Sequence, residues 1–303
     1  MTTLFDDYDI PQVGGDTSNM RRAFGEPPFS LLDRRSGPWR DRSARWKALG
    51  IQSELGREEG LLMASESDYI RPDAKTSIFD PVVCELAYRW WTAPGDMIFD
   101  PFAGGSVRGV VAAMLGRWYT GIELRAEQVD SNREQAAEIC DTPMPTWVVG
   151  DSDEMDELVP DLECDFVFTC PPYHDLEVYS DDPADISGMD WDEFQTVYTR
   201  IIGRAAQRLR NDRFMAVVIG DVRDKNGIYR GLPQLTVKAM EDAGLQLYQD
   251  AILADPTGTL RFIAPRVMKA SRKLTHVHQY LFVTVKGSPK RAAQRLRDTG
   301  DFQ

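Results

Sequence analysis

The pattern of apolar and polar positions changes partway along the chain. From Met97 onward, short apolar runs alternate with longer stretches in which apolar residues recur at helical spacing. The runs predict strands at 97–100, 118–123, 147–150, 165–169, 214–220, 246–253 and 278–286. The periodic stretches predict helices at 107–115, 126–140, 191–209 and 232–243. Alternation of this kind implies an α/β fold with a mostly parallel, Rossmann-like sheet and helices on both faces. The last two strands have no predicted helix between them, so they should pair antiparallel. The segment joining them, 254–275, reads as a basic loop too long for a plain hairpin turn.

Upstream the pattern is weaker. Residues 1–20 are acidic and aperiodic, which predicts a flexible tail. Residues 21–75 read as an N-terminal extension with turns at Glu26-Pro27-Pro28 and Ser36-Gly37-Pro38 and a short helix at 39–49. The aromatic and basic residues there (Trp39, Arg40, Arg42, Arg45, Trp46, Lys47) suit either a nucleic-acid face or a cover over one edge of the core. The seven-residue spacing of the two tryptophans favours the cover. Asp80 suits a helix cap and Pro81 the first turn of a helix at 81–91. The main domain is expected over 76–290 and a basic C-terminal tail over 291–303.

Composition narrows the class. A chain of 303 residues with 42% hydrophobic residues accommodates one large α/β domain. No apolar run approaches the roughly 20 residues a membrane-spanning helix needs. The start, MTTLFDDYDI, lacks a signal peptide's basic region, so a cytoplasmic protein without a membrane partner is expected. Cys84, Cys140, Cys164 and Cys170 stand far apart, which argues against a zinc site and a disulfide framework. His276 and His278 share a strand face with no completing acid or cysteine, and no metal is expected. The net charge of −13 is unhelpful for a nucleic-acid enzyme, but it is uneven. Residues 150–194 hold many acids and no Lys or Arg; residues 257–297 hold many Lys and Arg and no acid, and residues 21–47 are also rich in Arg. Two basic segments on an acidic body can make a local phosphate track, or can be solvated surface.

Two motifs carry candidate chemistry. Residues 97–125, MIFDPFAGGSVRGVVAAMLGRWYTGIELR, read as strand, glycine turn, helix, strand and acid. Gly104 and Gly105 permit positive φ and close approach of a ligand to the backbone, and Ser106 can cap the helix that follows. Glu123 ends the second strand about 20 residues past the glycines, where an acid can hold the hydroxyls of a ribose. Alone, the stretch suits a nucleoside-type cofactor and an ordinary α/β turn equally. The second motif, Thr169-Cys170-Pro171-Pro172-Tyr173, also follows an apolar strand.

DPFAGGS followed by TCPPY resembles the amino-group DNA methyltransferases, whose signatures are a DPFxGxG-type turn and a (D/N/S)PP(Y/F) tetrapeptide. PPFSLLDRRSGPWRDRSARWKALGIQSELGR, TSIFDPVVCELAYRWW and GDVRDKNGIYRGLP are similar to the methyltransferases of phages and prophages, so the resemblance runs from about Pro27 to Lys290. It implies a seven-stranded methyltransferase sheet with an antiparallel last strand. It also implies S-adenosylmethionine (SAM) as cofactor and a role in site-specific DNA methylation of the restriction-modification kind, in a bacterium or a phage-infected cell. Carried onto this sequence, Asp100 with Phe102, Ala103, Gly104, Gly105 and Ser106 would cradle the amino-acid end of SAM. Glu123 with Leu124 would take the ribose, and Asp151 with Ser152 the adenine. Ser77, Ile78, Phe79 and Asp80 would close over the methionine end.

The tetrapeptide has a physical logic. An exocyclic base amine is a poor nucleophile, because its lone pair is delocalised into the ring. Acceptors must hold its N–H groups and aim the nitrogen at the methyl carbon. The side chain at 170 and the rigid Pro171 carbonyl can do this, with Tyr173 as a stacking face for a flipped base. Cys170 departs from the family, since a thiol accepts weakly; Thr169 is a candidate substitute acceptor. Cys170 is closest in shape to Ser, which leans towards the N4 of cytosine over the N6 of adenine. As a nucleophile it would instead suit cytosine-C5 chemistry. Little chain separates the two motifs, so target recognition falls to the N-terminal segment, to 174–188 or to 254–273, where Arg261, Arg266, Lys269, Arg272 and Lys273 suit phosphate contacts. Asp221 either positions substrate or caps a turn. Double-stranded DNA is the expected partner and a homodimer a candidate assembly. RNA methylation on the same scaffold and a non-catalytic nucleic-acid-binding protein are the alternatives.

Overall fold

The computed structural model describes residues 17–51, 79–174 and 179–302. In chain order the elements are α1 (Thr17–Phe24), β1 (Leu31–Asp33), α2 (Gly37–Lys47), α3 (Pro81–Trp91), β2 (Met97–Asp100), α4 (Val107–Met114), β3 (Trp118–Glu123), α5 (Ala126–Ile139) and β4 (Thr146–Val149). They continue with α6 (Met155–Leu158), β5 (Cys164–Thr169), α7 (Trp191–Arg208), β6 (Leu209–Ile219), α8 (Leu232–Asp242), β7 (Gln246–Ala254), α9 (Leu260–Ser271), β8 (His278–Lys286) and α10 (Pro289–Thr299).

The strands form one sheet in the order β1-β7-β8-β6-β5-β2-β3-β4. Every pairing is parallel except those of β8 with β6 and with β7. This is the expected Rossmann-like α/β fold with its antiparallel last strand. The sheet has eight strands, not seven: Leu31–Asp33 adds a parallel edge strand beside β7. Adjacent residues of the central strands face opposite layers. Phe166, Phe168, Phe214 and Ala216 pack on one side with α3 and α4, while Val167, Met215 and Val217 pack on the other with α7 and α8.

Three stretches depart from the sequence expectation. The basic loop is largely a helix, α9, because Leu260, Ile263, Ala264, Val267 and Met268 recur at helical spacing despite Pro265 inside it. The C-terminal tail is also helical. Ser288 caps α10, Ala292 is buried, and Arg291 pairs with Asp212 at 2.5 Å. At the other end, α1 begins within the stretch expected to be a flexible tail. The described part of the N-terminal extension, 21–51, covers the core: Trp39 and Trp46 are buried, and Arg42 donates to Glu85, which also accepts from Trp46 Nε1 at 2.7 Å. Among the described residues, no helix is long and apolar enough to cross a membrane.

Candidate active site

The parallel strands β2, β3, β4 and β5 all end at one edge of the sheet, where ligands bind in open α/β folds. A cleft of about 180 Å³ opens there. Phe102, Gly104, Gly105, Glu123, Leu124, Asp151 and Ser152 line it, together with Phe79, Cys170 and Pro172. The glycine turn, the second-strand acid and two residues of the tetrapeptide, Cys170 and Pro172, far apart in sequence, therefore share one space; Pro171 and Tyr173 are not among the lining residues.

The turn after β2 is braced from within. Gly104 has φ +52°, in the left-handed region that glycine adopts at little cost. Its N–H donates to Glu123 Oε2 at 3.0 Å, and its carbonyl accepts from Asn132 Nδ2 at 2.7 Å. Glu123 Oε1 accepts from the Arg125 N–H at 3.1 Å. Each carboxylate oxygen thus holds a backbone donor, and Oε1 also lies 3.6 Å from Arg125 Nε, so the carboxylate is fixed at the cleft wall. Asp151 accepts from the Asp153 N–H at 2.8 Å, and burial raises its carboxyl above the usual aspartate range. Ser152 is buried and donates to the Pro101 carbonyl.

Several expected site residues face the protein instead. Asp100 is fully buried. It accepts from the Phe102 N–H at 3.0 Å, Thr169 Oγ1 at 2.7 Å, Tyr119 Oη at 3.0 Å and Arg108 Nε at 2.5 Å. It ties β2, β3, β5 and α4 together and does not line the cleft. Thr169, wholly buried with its hydroxyl donated to Asp100, is not placed to serve as the substitute acceptor. Ala103 is buried at the back of the turn, its N–H donated to the Ile122 carbonyl. Ser106 makes no cap: its hydroxyl, buried, donates to Gln135 Oε1 at 2.7 Å. Asp80 caps α3, as expected, but its remaining contacts are with the N-terminal segment, from Arg34 Nε at 3.0 Å and Trp39 Nε1 at 2.8 Å. Of the described residues of that group, Phe79 reaches the cleft and Asp80 is not in its lining; Ser77 and Ile78 lie outside the described residues.

In the tetrapeptide, Cys170 Sγ lies 3.7 Å from Tyr173 Oη, and Gln279 Nε2 donates to that phenol at 2.7 Å. The Pro171 side chain is buried. Asp221 resolves as a turn cap, its Oδ1 accepting from the N–H groups of Val222, Gly231 and Leu232. Arg261, Arg266, Lys269, Arg272 and Lys273 all fall on or just after α9, away from the cleft lining.

Two contributors went unread in the sequence. Arg108 sits in the first turn of α4, donates to the carbonyls of Phe102 and Ala103, and lies 4.8 Å from the centre of the Phe79 ring. Burial alone would lower its pKa, but the adjacent Asp100 carboxylate more than reverses that, so it stays charged. A charge inside the apolar run VRGVVAAM was the available signal. The second is the segment after the tetrapeptide, read in the sequence as a candidate for target recognition and not as a wall of the cofactor cleft. Asp185 gathers the N–H groups of Tyr179, Ser180 and Ser187, shaping a cleft wall that includes Tyr179 and Ile186.

No family model matches the chain. Among solved structures it is similar to TrmN from Thermus thermophilus, at 16% identity and TM-score 0.48, over 70% of this chain and 51% of that one. The match thus spans about half the length of TrmN. It is also similar to a precorrin-6y C5,15-methyltransferase from Geobacter metallireducens GS-15, at 15% identity and TM-score 0.45, over 78% and 97%. A third likeness is to the magnesium protoporphyrin IX methyltransferase of Synechocystis PCC 6803 with bound SAM, at 12% identity and TM-score 0.42, over 64% and 71%. At these levels the likenesses concern chain path; the reaction has to be argued from the site.

Proposed function

We propose that this chain is a SAM-dependent methyltransferase that modifies the exocyclic amine of a base flipped out of double-stranded DNA. The observation that carries the reading is that Cys170 and Pro172 line the same cleft as Gly104, Glu123 and Asp151. The donor set fits the cofactor. Glu123 would accept from the ribose hydroxyls, Asp151 from the adenine amine, and Phe79 and Phe102 would give apolar walls. Gly104 and Gly105 would admit the amino-acid end against the backbone. When bound, SAM supplies a methyl group on a positively charged sulfur, ready for in-line transfer.

The residues of this chain then have to present the amine. The Pro171 carbonyl and Cys170 Sγ would each take one N–H, so that the lone pair gathers on the nitrogen and faces the methyl carbon; the surplus proton of the methylated nitrogen would pass to water. Gln279 donates to Tyr173 Oη, which fixes the phenol beside Cys170 and leaves its own proton for the sulfur. Asp100 and Arg108 act at one remove, by holding the glycine turn to Thr169. No covalent enzyme–base bond is required; proximity and alignment supply the rate.

The test is transfer of labelled methyl from SAM to unmethylated duplex DNA, followed by nucleoside mass analysis. N6-methyladenine or N4-methylcytosine is expected. 5-Methylcytosine would overturn the mechanism and make Cys170 the nucleophile. Label in RNA alone would replace the substrate. Cofactor binding without transfer to any nucleic acid would leave a non-catalytic protein.

A further inference from the structure

Helix α9 follows β7, which is separated by β8 and β6 from β5, the strand that leads into the tetrapeptide. At its feet Ala254 pairs with His278 and Leu253 with Gln279, and it is Gln279 that donates to Tyr173 Oη. β7 runs parallel to β1 and antiparallel to β8, as β6 does to β8, so the end of β7 lies at the cleft edge of the sheet. No residue of α9 is buried. Its apolar stripe, with Ile263, Val267 and Met268, is half-buried against the body. The opposite side carries Phe262, Arg266 and Lys269, spaced i, i+4, i+7, so they form one outward row.

Phe262 is the anomaly in that row. Its ring is 70% exposed, with the Arg261 guanidinium 4.7 Å from its centre. The helix already has an apolar side for the body, so folding gains nothing from this ring. The row around it is cationic in a chain of net charge −13, and residues 257–297 contain no acid. Leu274 and Ile228 are exposed as well, but neither belongs to α9 or to this row, and a protein partner would need a broader apolar patch than one ring among cations. A polyanion whose planar groups stack asks for this combination: cations for phosphates and one flat apolar side chain to stand between bases.

We propose that α9 is the element that grips duplex DNA, with Arg266 and Lys269 on phosphates and Phe262 inserted as a wedge into the base stack beside the cleft. The inference rests on the DNA reading above and assigns it an element and a side chain. The wedge fills the space a displaced base leaves, so it lowers the cost of bringing that base to Cys170.

The test uses the full chain and two short duplexes of one sequence, one intact and one with a single central abasic site. A wedge finds part of its hole already made in the second. Wild type should bind the abasic duplex about ten-fold more tightly, the worth of one base–aromatic stack. Phe262→Ala should bind both duplexes alike, and Phe262→Trp should restore the preference. Arg266→Glu with Lys269→Glu should weaken both duplexes equally and flatten the salt dependence. A wild-type preference that survives Phe262→Ala overturns the wedge, as does a wild type with no preference. Conversion of a dimer to a monomer by Phe262→Ala overturns it too, since the ring would then face a second copy. Methyl transfer to DNA, measured alongside, separates the two readings. Transfer by a Phe262→Ala protein with unchanged rate and duplex preference sinks the wedge alone. No transfer by wild type sinks the proposed reaction, while a Phe262-dependent preference would still stand.

Discussion

The two halves of the cleft edge are built on opposite plans. On the β2–β4 side, acids end the strands and their oxygens are already engaged. Asp100 takes four donors and Glu123 holds two backbone N–H groups. On the β7–β8 side, the same edge carries a helix with no buried residue and a row of exposed cations around one phenyl ring. The first plan fixes side chains before a ligand arrives, which suits a small molecule that must be aligned closely. The second leaves side chains in water, where they adapt to a large, repetitive polyanion at little cost to the fold. A single edge thus combines a preorganised pocket with an adaptable grip.

The comparison breaks most visibly in stability. Asp100→Ala removes one partner of a buried ion pair and strands the Arg108 guanidinium, which should cost about 3–5 kcal/mol. Lys269→Glu, on the exposed row, should stay within about 0.5 kcal/mol of wild type. Urea melts of the two variants check this. Equal, small losses would mean that the Asp100 cluster is not the brace that its contacts indicate.

Next in size is ligand affinity. Glu123→Ala should weaken SAM binding by about a hundred-fold, since hydrogen bonds to a charged acceptor are worth roughly 1.5–3 kcal/mol each. Part of that loss comes from releasing the Gly104 N–H. Glu123→Gln keeps an acceptor at that site and should lose less. Isothermal titration of SAM against the purified chain decides it; an unchanged affinity in Glu123→Ala would remove the ribose assignment.

What was legible follows the same division. The seven strands after Met97 were readable as short apolar runs, most plainly β5, which is buried throughout between parallel neighbours; their bounds landed within one residue, except that β6 begins at Leu209, five residues before the expected 214. β1 was not, because three residues carry no period. α9 was hidden by Pro265 and by the Gly258 turn before it, although its apolar spacing was present. In the site, the sequence marked the strand-end acids but not their partners. Asp100 and Glu123 look alike as letters. Arg108, reaching back eight positions, together with Tyr119 and Thr169 makes Asp100 structural, while Glu123 faces the cleft. Thr169 was misread for the same reason, since its fate depends on where Asp100 points.

The smallest effect is the one that tests the pocket's electrostatics. Burial raises the Asp151 carboxyl, so in the folded chain it takes up its proton at a higher pH than an ordinary aspartate would. For stability the sign is plain: the group favours the folded state increasingly as pH falls through that raised value, and disfavours it once ionised above. For ligand binding the sign reverses, because only the ionised carboxylate offers all its lone pairs to an adenine amine. SAM affinity should therefore hold at neutral pH and begin to fall on acidification above the usual aspartate pKa of about 3.9. Asp151→Asn keeps the acceptor oxygen, cannot titrate, and should bind about ten-fold more weakly but with that acid-side decline removed. Titrations of SAM at a series of pH values, for wild type and for Asp151→Asn, provide the measurement. A decline of the same size in both proteins would move its origin away from Asp151 and weaken the pairing of that carboxylate with the adenine.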